Sequence, residues 1–426
     1  MTTSDVALEG AGLRPREGDD PAELVLGGKL CRPMLMPYDK RSVPHCVIEV
    51  NQACNISCRA CYKDRHGSTK PLEQIKAELD LIVSERRVSA ISLAGGEPTL
   101  HPQLPEIIAY AKSKGVVVQM LSNGLLLTDE LLAACKRAGL STIYLHLDSH
   151  QHRPDIPKGA NEADLDELRL AFARRINAQG LFCSLNVTLY QDNLPQLAHV
   201  VRFLCTNPSY HRMLVTCCTD FDAMIARYRG TGGEGVLDRR SGGSDLAGQE
   251  VGLDEVAPYL YERLGMEPFG YIASTRSLAA KKWLFYFSFT IALPDGSTRV
   301  LHTTDRFKNF LRFAQWFSMK VRGTYPSGRV ANGGKAVLAC LIYCLTCLDL
   351  RLMGRTLAFL STLLRPGARI FQKSFIFQGG PSLAPSGELE YCQNCPDATV
   401  RDGVVVPLCT ADYLDAKVKN SARFLM

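Results

Sequence analysis

A regular alternation of apolar strands and amphipathic helices, from about residue 47 to residue 265, constrains the fold more than any other feature of the sequence. The strand-like runs are residues 47–50, 90–93, 116–121, 142–147, 183–189 and 213–216. Helical patterns lie between them near residues 71–87, 102–114, 128–138, 162–179 and 194–205, with a sixth near 253–264. Such alternation predicts βαβ units and a parallel sheet. Six units form an open, partial (β/α)6 barrel, whose functional residues gather at the carboxyl ends of the strands.

Three cysteines follow the first predicted strand directly. Cys54, Cys58 and Cys61 have the spacing C-x3-C-x2-C and are followed by Tyr62. An iron–sulfur cluster is usually held by four cysteine thiolates, and this motif supplies three. One iron of such a cluster would stay open to a small ligand. The alternatives are a zinc site or three unrelated thiols.

The ends of the first four strands together resemble the radical S-adenosylmethionine (SAM) superfamily over about residues 46–220. The motifs are the cysteine loop, Gly95-Gly96-Glu97-Pro98, Ser122-Asn123-Gly124 and His146-Leu147-Asp148. The resemblance implies an enzyme whose [4Fe–4S] cluster binds SAM at its open iron and forms a 5′-deoxyadenosyl radical. It also implies an electron donor such as a ferredoxin or a flavodoxin.

The same strand ends provide the candidate SAM-binding residues. Glycines let a backbone approach a ligand closely, and a glutamate is a plausible acceptor for the SAM ammonium group. Two side chains on one face of the fifth strand are placed to reach the SAM ribose or carboxylate, although a plain strand-face role is the alternative. The candidates are Tyr62, Gly95, Gly96, Glu97, Pro98, Ser122, Asn123, Ser184 and Asn186.

Three residues at strand ends are candidates for catalysis. Asp148 follows the fourth strand, where the resemblance implies a polar residue near the radical, although an ordinary strand-end turn is the alternative. Cys217 and Cys218 end the sixth strand, and one of them is a candidate ligand or hydrogen-atom donor.

A second cysteine group lies near the carboxyl terminus. Cys392 and Cys395 form a C-x2-C pair, and the polar turn 401–403 and the strand-like run 404–406 lie between Cys395 and Cys409. A hairpin there would return Cys409 to the C-x2-C pair. The convergence of three thiols indicates an auxiliary [4Fe–4S] cluster, with zinc or free thiols as alternatives.

The spacing of this second group resembles the carboxyl-terminal cluster of the molybdenum-cofactor cyclase family. Residues 373–377 together with these cysteines and residues 404–410 are more similar to the tetraether-lipid synthase and class D radical SAM methylase group.

A third group repeats the first spacing in a different context. Cys340, Cys344 and Cys347 lie within the apolar helical run 336–348, on one helix face. Buried cysteine often behaves as a small hydrophobic residue, which favours a core role. The alternative is that they complete the auxiliary cluster or hold another.

Charge is distributed unevenly in a chain whose formal net charge is +6. Between Arg276 and Lys373 there are sixteen Lys and Arg residues and three acidic ones, interleaved with aromatic residues. This block favours a phosphate-bearing partner or an anionic lipid surface, with a solvated basic face as the alternative. No nucleic-acid-binding module is recognisable, and we expect no nucleic-acid partner.

The expected organisation has four parts. An N-terminal extension covers residues 1–45, the radical SAM partial barrel 46–265, a basic, aromatic-rich and largely helical substrate or lid region 266–385, and an auxiliary iron–sulfur segment 386–426. Residues 283–300 are predicted to form a hairpin, 305–364 to be mainly helical, and 229–244 to be a linker. The first twenty residues lack the pattern of a signal peptide, so we expect a cytoplasmic protein, in part peripheral at the inner membrane surface.

These features predict hydrogen abstraction from an unactivated carbon of a lipid-like substrate, followed by carbon–carbon bond formation or methylation, in lipid biosynthesis. The second hypothesis is modification of a phosphorylated small metabolite or a peptide by the same cluster. A non-catalytic iron–sulfur interaction protein is the third.

Overall fold

The computed structural model describes residues 22–63, 67–233, 246–326, 332–347 and 349–412. Residues 1–21 of the expected N-terminal extension and residues 234–244 of the expected linker lie outside the described residues. Within the linker prediction, residues up to Gly230 belong to a helix.

The alternating pattern folds as strands and helices close to their predicted positions. The strands up to residue 217 are β1 (Leu24–Leu26), β2 (Lys29–Cys31), β3 (Met34–Leu35), β4 (His45–Asn51), β5 (Ser57–Cys58), β6 (Ala90–Gly95), β7 (Val117–Ser122), β8 (Leu140–His146), β9 (Gln151–His152), β10 (Phe182–Leu189) and β11 (Tyr210–Cys217). The helices up to residue 264 are α1 (Leu72–Glu85), α2 (Leu104–Ser113), α3 (Asp129–Ala138), α4 (Asp166–Ala178), α5 (Leu197–Thr206), α6 (Phe221–Gly230) and α7 (Leu253–Leu264).

Helix α3 shows why these segments are helical. Thr128 caps its first turn by accepting a hydrogen bond from the Leu131 N–H, and two acidic residues follow it. Gly139 ends the helix in the left-handed conformation, with φ +108°. Leu132 and Cys135 are buried, so the helix covers the sheet with one apolar face.

The main sheet confirms the predicted mixed α/β architecture. Strands β4, β6, β7, β8, β10 and β11 lie side by side in sequence order, and all are parallel. The strands carry buried residues on both faces of the sheet, because helices cover one face and the other face points to the interior of the protein. In the described part of the chain the strand order has two ends, β3 and β4, so the sheet is open.

The sheet continues into the region after residue 265. Four further strands belong to it: β12 (Gly270–Ala273), β13 (Lys281–Ala292), β14 (Thr298–His302) and β15 (Arg369–Gln378). Strands β13 and β14 form the predicted hairpin. Strand β15 was not predicted; it adds a seventh parallel strand beside β11 and pairs antiparallel with β13.

Three helices separate β14 from β15 in sequence, as predicted for this stretch: α8 (Phe307–Arg322), α9 (Gly334–Thr346) and α10 (Leu350–Ser361). Helix α9 packs against α8, α10 and β15. The region after residue 265 therefore contributes strands to the main sheet as well as helices. No helix in the described ranges has the length and hydrophobicity needed to cross a bilayer.

The last strands are short and form hairpins: β16 (Ser382–Leu383), β17 (Leu389–Glu390), β18 (Ala398–Arg401) and β19 (Val404–Pro407). The β18–β19 hairpin was predicted, and its two-residue turn has φ +51° at Asp402 and +73° at Gly403. A two-residue turn with two positive φ values has a backbone twist that matches the right-handed twist of the two strands it joins. Strand β18 packs against β4, which places the carboxyl-terminal cysteines beside the first strand of the parallel sheet.

Candidate active site

The carboxyl ends of the parallel strands line one cavity. Its empty volume, the open mouth included, is about 1520 Å³. Both predicted cysteine groups line it, although more than 300 positions separate them in sequence. The predicted residues on its wall are Cys54, Cys58, Cys61, Tyr62, Gly95, Gly96, Glu97, Ser122, Asn123, Asn186, Cys217, Cys218, Cys392, Cys395 and Cys409.

The first cysteine loop is fixed by the neighbouring loops. Cys58 lies in β5, which pairs with β9 opposite Gln151. The Ala60 N–H donates to the Tyr190 hydroxyl at 3.0 Å. Burial raises the pKa of Tyr190 far above its ordinary value, so this phenol stays protonated at neutral pH. Arg59 pairs with Asp192 at 2.9 Å. The loop is thereby held against the ends of β8 and β10.

Gly95 and Gly96 are required by the cysteine loop itself. A Cβ on Gly95 would lie 2.2 Å from the Asn51 carbonyl oxygen, and one on Gly96 would lie 2.0 Å from that of Ala53. The same carbonyls accept hydrogen bonds from the N–H groups of Gly96 and Glu97, at 3.0 and 2.8 Å. The close approach that the glycines permit is therefore to the backbone before Cys54.

Glu97 joins the ends of the second and third parallel strands. Its carboxylate accepts hydrogen bonds from Ser122 Oγ (2.7 Å), the Asn123 N–H (2.8 Å), and both the hydroxyl (2.6 Å) and the N–H (3.1 Å) of Thr99. The Asn123 side chain in turn donates to Asn55 Oδ1 in the cysteine loop, at 2.7 Å. Three strand-end loops are thus one hydrogen-bonded unit. The predicted contact of Glu97 with an ammonium group stays a prediction.

Asp148 is placed differently from the prediction, because it lies behind the cavity wall rather than on it. It is buried, and its Oδ2 lies 3.0 Å from His146 Nε2, which does line the cavity. Its carboxylate also accepts the N–H groups of Thr188 and His150, each at 3.0 Å. Burial acts to raise the pKa of Asp148, but these hydrogen bonds hold that pKa below its ordinary value. Asp148 therefore orients His146.

Two other predicted residues also lie off the wall. Pro98 begins a buried 3₁₀ turn behind Glu97. Ser184 is buried and pairs with Tyr144 of β8, two residues before Asn186 on β10. Cys217 and Cys218 do reach the cavity, and burial raises the pKa of each thiol to about 12, so both are protonated at neutral pH.

The carboxyl-terminal cysteines line the same cavity. Cys392 and Cys395 are buried, and the β18–β19 hairpin returns Cys409 beside them, with the Leu408 N–H donating to the Asp397 carbonyl at 2.8 Å. A hydrogen bond from the Cys395 thiol lowers the pKa of Cys392, against the effect of burial. The Trp283 indole also donates to Cys392.

A buried network of four charges joins the two cysteine groups. Lys63 Nζ lies 2.5 Å from Glu49 Oε1 and 2.6 Å from Asp412 Oδ2. Arg401 contacts the other oxygen of Glu49 and lies 2.8 Å from Asp412 Oδ1. Lys63 follows the first cysteine loop, whereas Arg401 and Asp412 flank Cys409 in sequence. The network fixes the carboxyl-terminal hairpin against β4.

The residues present fit a cluster and SAM in their donor chemistry. Eight thiols line one cavity: the two predicted groups of three, together with Cys217 and Cys218. Buried acceptors are also on the wall: among the described residues none donates a hydrogen bond to Asn186 Oδ1 or Gln52 Oε1. Within the same residues no three His, Cys, Asp or Glu side chains already meet at one metal position.

Cys340, Cys344 and Cys347 are buried in and beside α9, away from the cavity wall. Burial raises the pKa of Cys340 to about 12 and that of Cys347 to about 11. This placement agrees with the core role that their apolar context favours.

Thr216 and Gln378 are wall residues that were not predicted, and each lies at or next to the carboxyl end of a parallel strand. The strand-end position of Thr216 was a usable signal. Gln378 carried none, because the pairing of β15 with the parallel sheet was not predicted. His146 belongs to a predicted motif, and Trp283 of β13 belongs to the predicted substrate or lid region, but neither was assigned to the site.

Comparisons with known proteins match the first part of the chain. Residues 48–204 match the family model described as Radical SAM superfamily. The 7,8-dihydro-6-hydroxymethylpterin dimethyltransferase of Methanocaldococcus jannaschii is 35% identical over 127 residues, which are 28% of this chain and 25% of that protein. The GTP 3′,8-cyclase of Chlorobaculum tepidum is 29% identical over 170 residues, 38% of this chain and 51% of that protein.

One solved structure aligns with part of the chain. Streptococcus suis SuiB bound to S-adenosylmethionine aligns with a TM-score of 0.36 and 16% identity, covering 52% of this chain and 49% of that one. The chain therefore spans between a quarter and about half of the proteins it is compared with here.

Proposed function

We propose that this chain, whose residues 48–204 form a radical SAM domain, is an enzyme that abstracts a hydrogen atom from an unactivated carbon by reductive cleavage of SAM. The observation that carries the proposal is the convergence of the C-x3-C-x2-C loop and the Gly95–Glu97 loop on one cavity. A SAM-bound [4Fe–4S] cluster, the cofactor of this superfamily, supplies a 5′-deoxyadenosyl radical when it receives one electron. A ferredoxin or a flavodoxin is the proposed electron donor.

Cys54, Cys58 and Cys61 would hold the cluster. All three lie in one loop, which contacts with β9 and Tyr190 already hold in place. Asn186 and Gln52 offer acceptor oxygens to the ligand beside it. Glu97, Ser122 and Asn123 keep the facing loops in place through the hydrogen bonds described above. Pre-organisation of this kind lowers the cost of orienting a ligand.

Cys392, Cys395 and Cys409 would hold an auxiliary [4Fe–4S] cluster at the same cavity. Their chemistry supports this assignment, since thiolates are the usual ligands of such clusters. The apolar side chains of Trp283 and Leu408 line the cavity together with these cysteines. A substrate bound in this cavity would have both cysteine groups on its wall.

For the substrate we propose a lipid-like molecule, modified by carbon–carbon bond formation or methylation. Among the described residues of the wall, Lys63 is the only lysine or arginine, and its ammonium group is held by Glu49 and Asp412. The phosphate of a phosphorylated substrate would need a lysine or arginine on the wall whose N–H groups can donate to it. The apolar side chains that favour a hydrocarbon instead are Ile56, Leu121, Leu214, Phe221, Trp283 and Leu408.

Modification of a small metabolite or a peptide is the second candidate. Its support is the sequence identity to a pterin dimethyltransferase over 127 residues and to a GTP cyclase over 170 residues. Uncharged heterocycles fit the same cavity wall as a hydrocarbon does, so this candidate differs from the first mainly in the size and solubility of the substrate.

Anaerobic SAM cleavage with dithionite tests the proposal. We expect 5′-deoxyadenosine from the wild type and from Cys135→Ala, a buried cysteine of α3 remote from the cavity, and none from Cys58→Ala. Equal product from Cys58→Ala would overturn the proposed site. Adding a lipid extract or, separately, a pool of polar metabolites and peptides distinguishes the substrates, because only a bound substrate stimulates cleavage.

A further inference from the structure

Helices α8, α9 and α10 expose far more apolar surface than any other part of the described chain. Phe313, Trp316 and Phe317 of α8 are 56%, 58% and 54% exposed. Val321 continues the same stripe. Exposed leucines on the other two helices and just after them are Leu338, Leu341, Leu345, Leu350, Leu357 and Leu364. Contiguous exposed apolar surface of this extent marks an interaction site.

The exposed apolar residues of α8 form a stripe along one side of the helix. Residues 313, 316, 317 and 321 follow helical spacing, so they share one face. Phe307, Gln315 and Ser318 on the other side of the helix are buried. The ring centroid of Phe313 lies 6.0 Å from that of Trp316 and 6.4 Å from that of Phe317. The three rings therefore form one aromatic cluster that points away from the core.

Helix α9 extends this surface. Its residues Ala336, Ala339, Cys340 and Tyr343 are buried, whereas Leu338, Leu341 and Leu345 are exposed. Since α9 packs against α8 and α10, its exposed face adjoins theirs.

The charge of these helices has one sign. Exposed basic residues flank the apolar ones on all three helices: Arg312, Lys320, Arg322, Lys335, Arg351 and Arg355. From residue 306 to residue 369 the sequence contains a single acidic residue, Asp349. Its carboxylate caps α10, accepting the N–H groups of Arg351 and Leu352 at 3.0 and 3.1 Å. The Arg306 guanidinium lies 3.8 Å from the same carboxylate, and this single acidic residue leaves the three helices with a large excess of positive charge.

We propose that the outward face of α8, α9 and α10 docks on an anionic phospholipid membrane. Aromatic and leucine side chains enter the acyl boundary while Lys and Arg contact lipid phosphates, which is how amphipathic helices bind at an interface. A second copy of the chain is a poor occupant, because its own face carries the same positive charge. The proposal does not rest on the proposed reaction, since docking needs no cluster.

Vesicle flotation with the full chain tests the proposal. We expect binding to vesicles of equimolar phosphatidylglycerol and phosphatidylcholine, and binding weaker by about tenfold or more to pure phosphatidylcholine. Phe313→Ser/Trp316→Ser/Phe317→Ser and Arg312→Gln/Lys320→Gln/Arg322→Gln should each lose the anionic-vesicle binding. The matched control Val25→Ser/Leu30→Ser removes two exposed apolar residues of the β1–β2 hairpin and should bind like the wild type.

Each outcome decides the proposal. Because the substituted residues are exposed, unchanged thermal unfolding of both triple variants will show that they fold. Failure of the wild type to bind anionic vesicles, or equal binding by the aromatic variant, would overturn the proposal. Light scattering that shows a dimer in the wild type and a monomer in the aromatic variant would assign the face to a second copy. SAM cleavage without lipid should be the same in all variants, so failure of docking leaves the proposed reaction standing.

Discussion

Arg401 and Glu49 are in direct contact although 352 positions separate them in sequence. Glu49 lies in the first parallel strand and is fully buried, and Arg401 ends the first strand of the carboxyl-terminal hairpin. Lys63 and Asp412 complete the network, so two positive and two negative charges are neutralised together. This network determines where the second cysteine group lies relative to the first.

Arg401→Met should therefore destabilise the protein by about 3–5 kcal/mol, since it leaves Glu49 as a buried charge with one partner fewer. We also expect iron to be lost from the carboxyl-terminal group before the first group. Urea unfolding and iron counting measure the two effects. Arg299→Gln, at an exposed arginine of β14, is the control and should change neither. An Arg401→Met protein as stable as the wild type would show that the network contributes nothing to the hairpin's position.

Gly96→Ala should strongly reduce activity by displacing the cysteine loop. The added Cβ would lie 2.0 Å from the Ala53 carbonyl oxygen, so the loop must move by about 1 Å or more, which costs on the order of a hundredfold in rate. SAM cleavage and the visible absorption of the cluster are the measurements. Gly354→Ala in α10 has no atom within 4 Å of the new Cβ and should raise stability by up to about 1 kcal/mol. Full activity of Gly96→Ala would contradict the close approach.

The parallel part of the fold could be predicted because its pattern is local. Each strand–helix unit has its own apolar period, and the β18–β19 turn has the residues that two positive φ values require. Strand β15 could not be predicted, because its pairing with β11 joins residues 162 positions apart, and five helices and three strands lie between them in sequence. No local period encodes such a pairing.

The same limit applies to the site. The cysteines of the first loop, with Cys217 and Cys218, reached the cavity wall because the order of the parallel strands brings their ends together. The carboxyl-terminal cysteines reached it because the β18–β19 hairpin packs against β4. Asp148 did not, because the wall is formed by the last residue of β8, His146, and the chain turns away after it. The choice between two polar residues so close in sequence depends on where the strand ends, which a sequence pattern leaves uncertain by a residue or two.

Asp148→Asn should weaken both the fold and the reaction. An amide nitrogen would replace an oxygen that accepts N–H groups from Thr188 or His150, which costs about 1–3 kcal/mol. Because Asp148 positions His146, kcat for substrate turnover should fall while the KM for SAM changes little. Asp129→Asn, at an exposed residue of α3, is the control. A variant that is destabilised but turns over substrate normally would restrict Asp148 to a structural role.

Lys373 predicts a pH-dependent stability. Burial lowers the pKa of this lysine to about 7 in the folded protein, against about 10.4 in the unfolded chain. Its Nζ lies 2.6 Å from the Asn207 carbonyl oxygen and 2.5 Å from that of Tyr210. Between these two pKa values the unfolded chain binds more protons than the folded protein, so its contribution to stability rises with pH, by at most about 1.4 kcal/mol per pH unit.

The difference in urea-unfolding free energy between the wild type and Lys373→Met isolates this lysine, because other titrating groups are shared. That difference should shift in favour of the wild type from about pH 7.5 to about pH 9.5. Lys320→Met removes an exposed lysine of α8 and should show no such shift. A difference that is constant across this range would mean that Lys373 keeps an ordinary pKa.

Two cysteine trios with different surroundings should differ in the iron they hold. Cys340, Cys344 and Cys347 have the spacing of the first cysteine loop but are packed in the core around α9, whereas Cys392, Cys395 and Cys409 line the cavity. Replacing the first trio by alanine should leave iron and sulfide per chain unchanged and cost stability only, because small buried side chains are truncated. Replacing the second trio should remove about four iron atoms per chain, the content of one cluster. Loss of the same amount of iron from the α9 trio variant would indicate that these cysteines hold a cluster, as their spacing alone suggests. Their placement in the core would then be wrong.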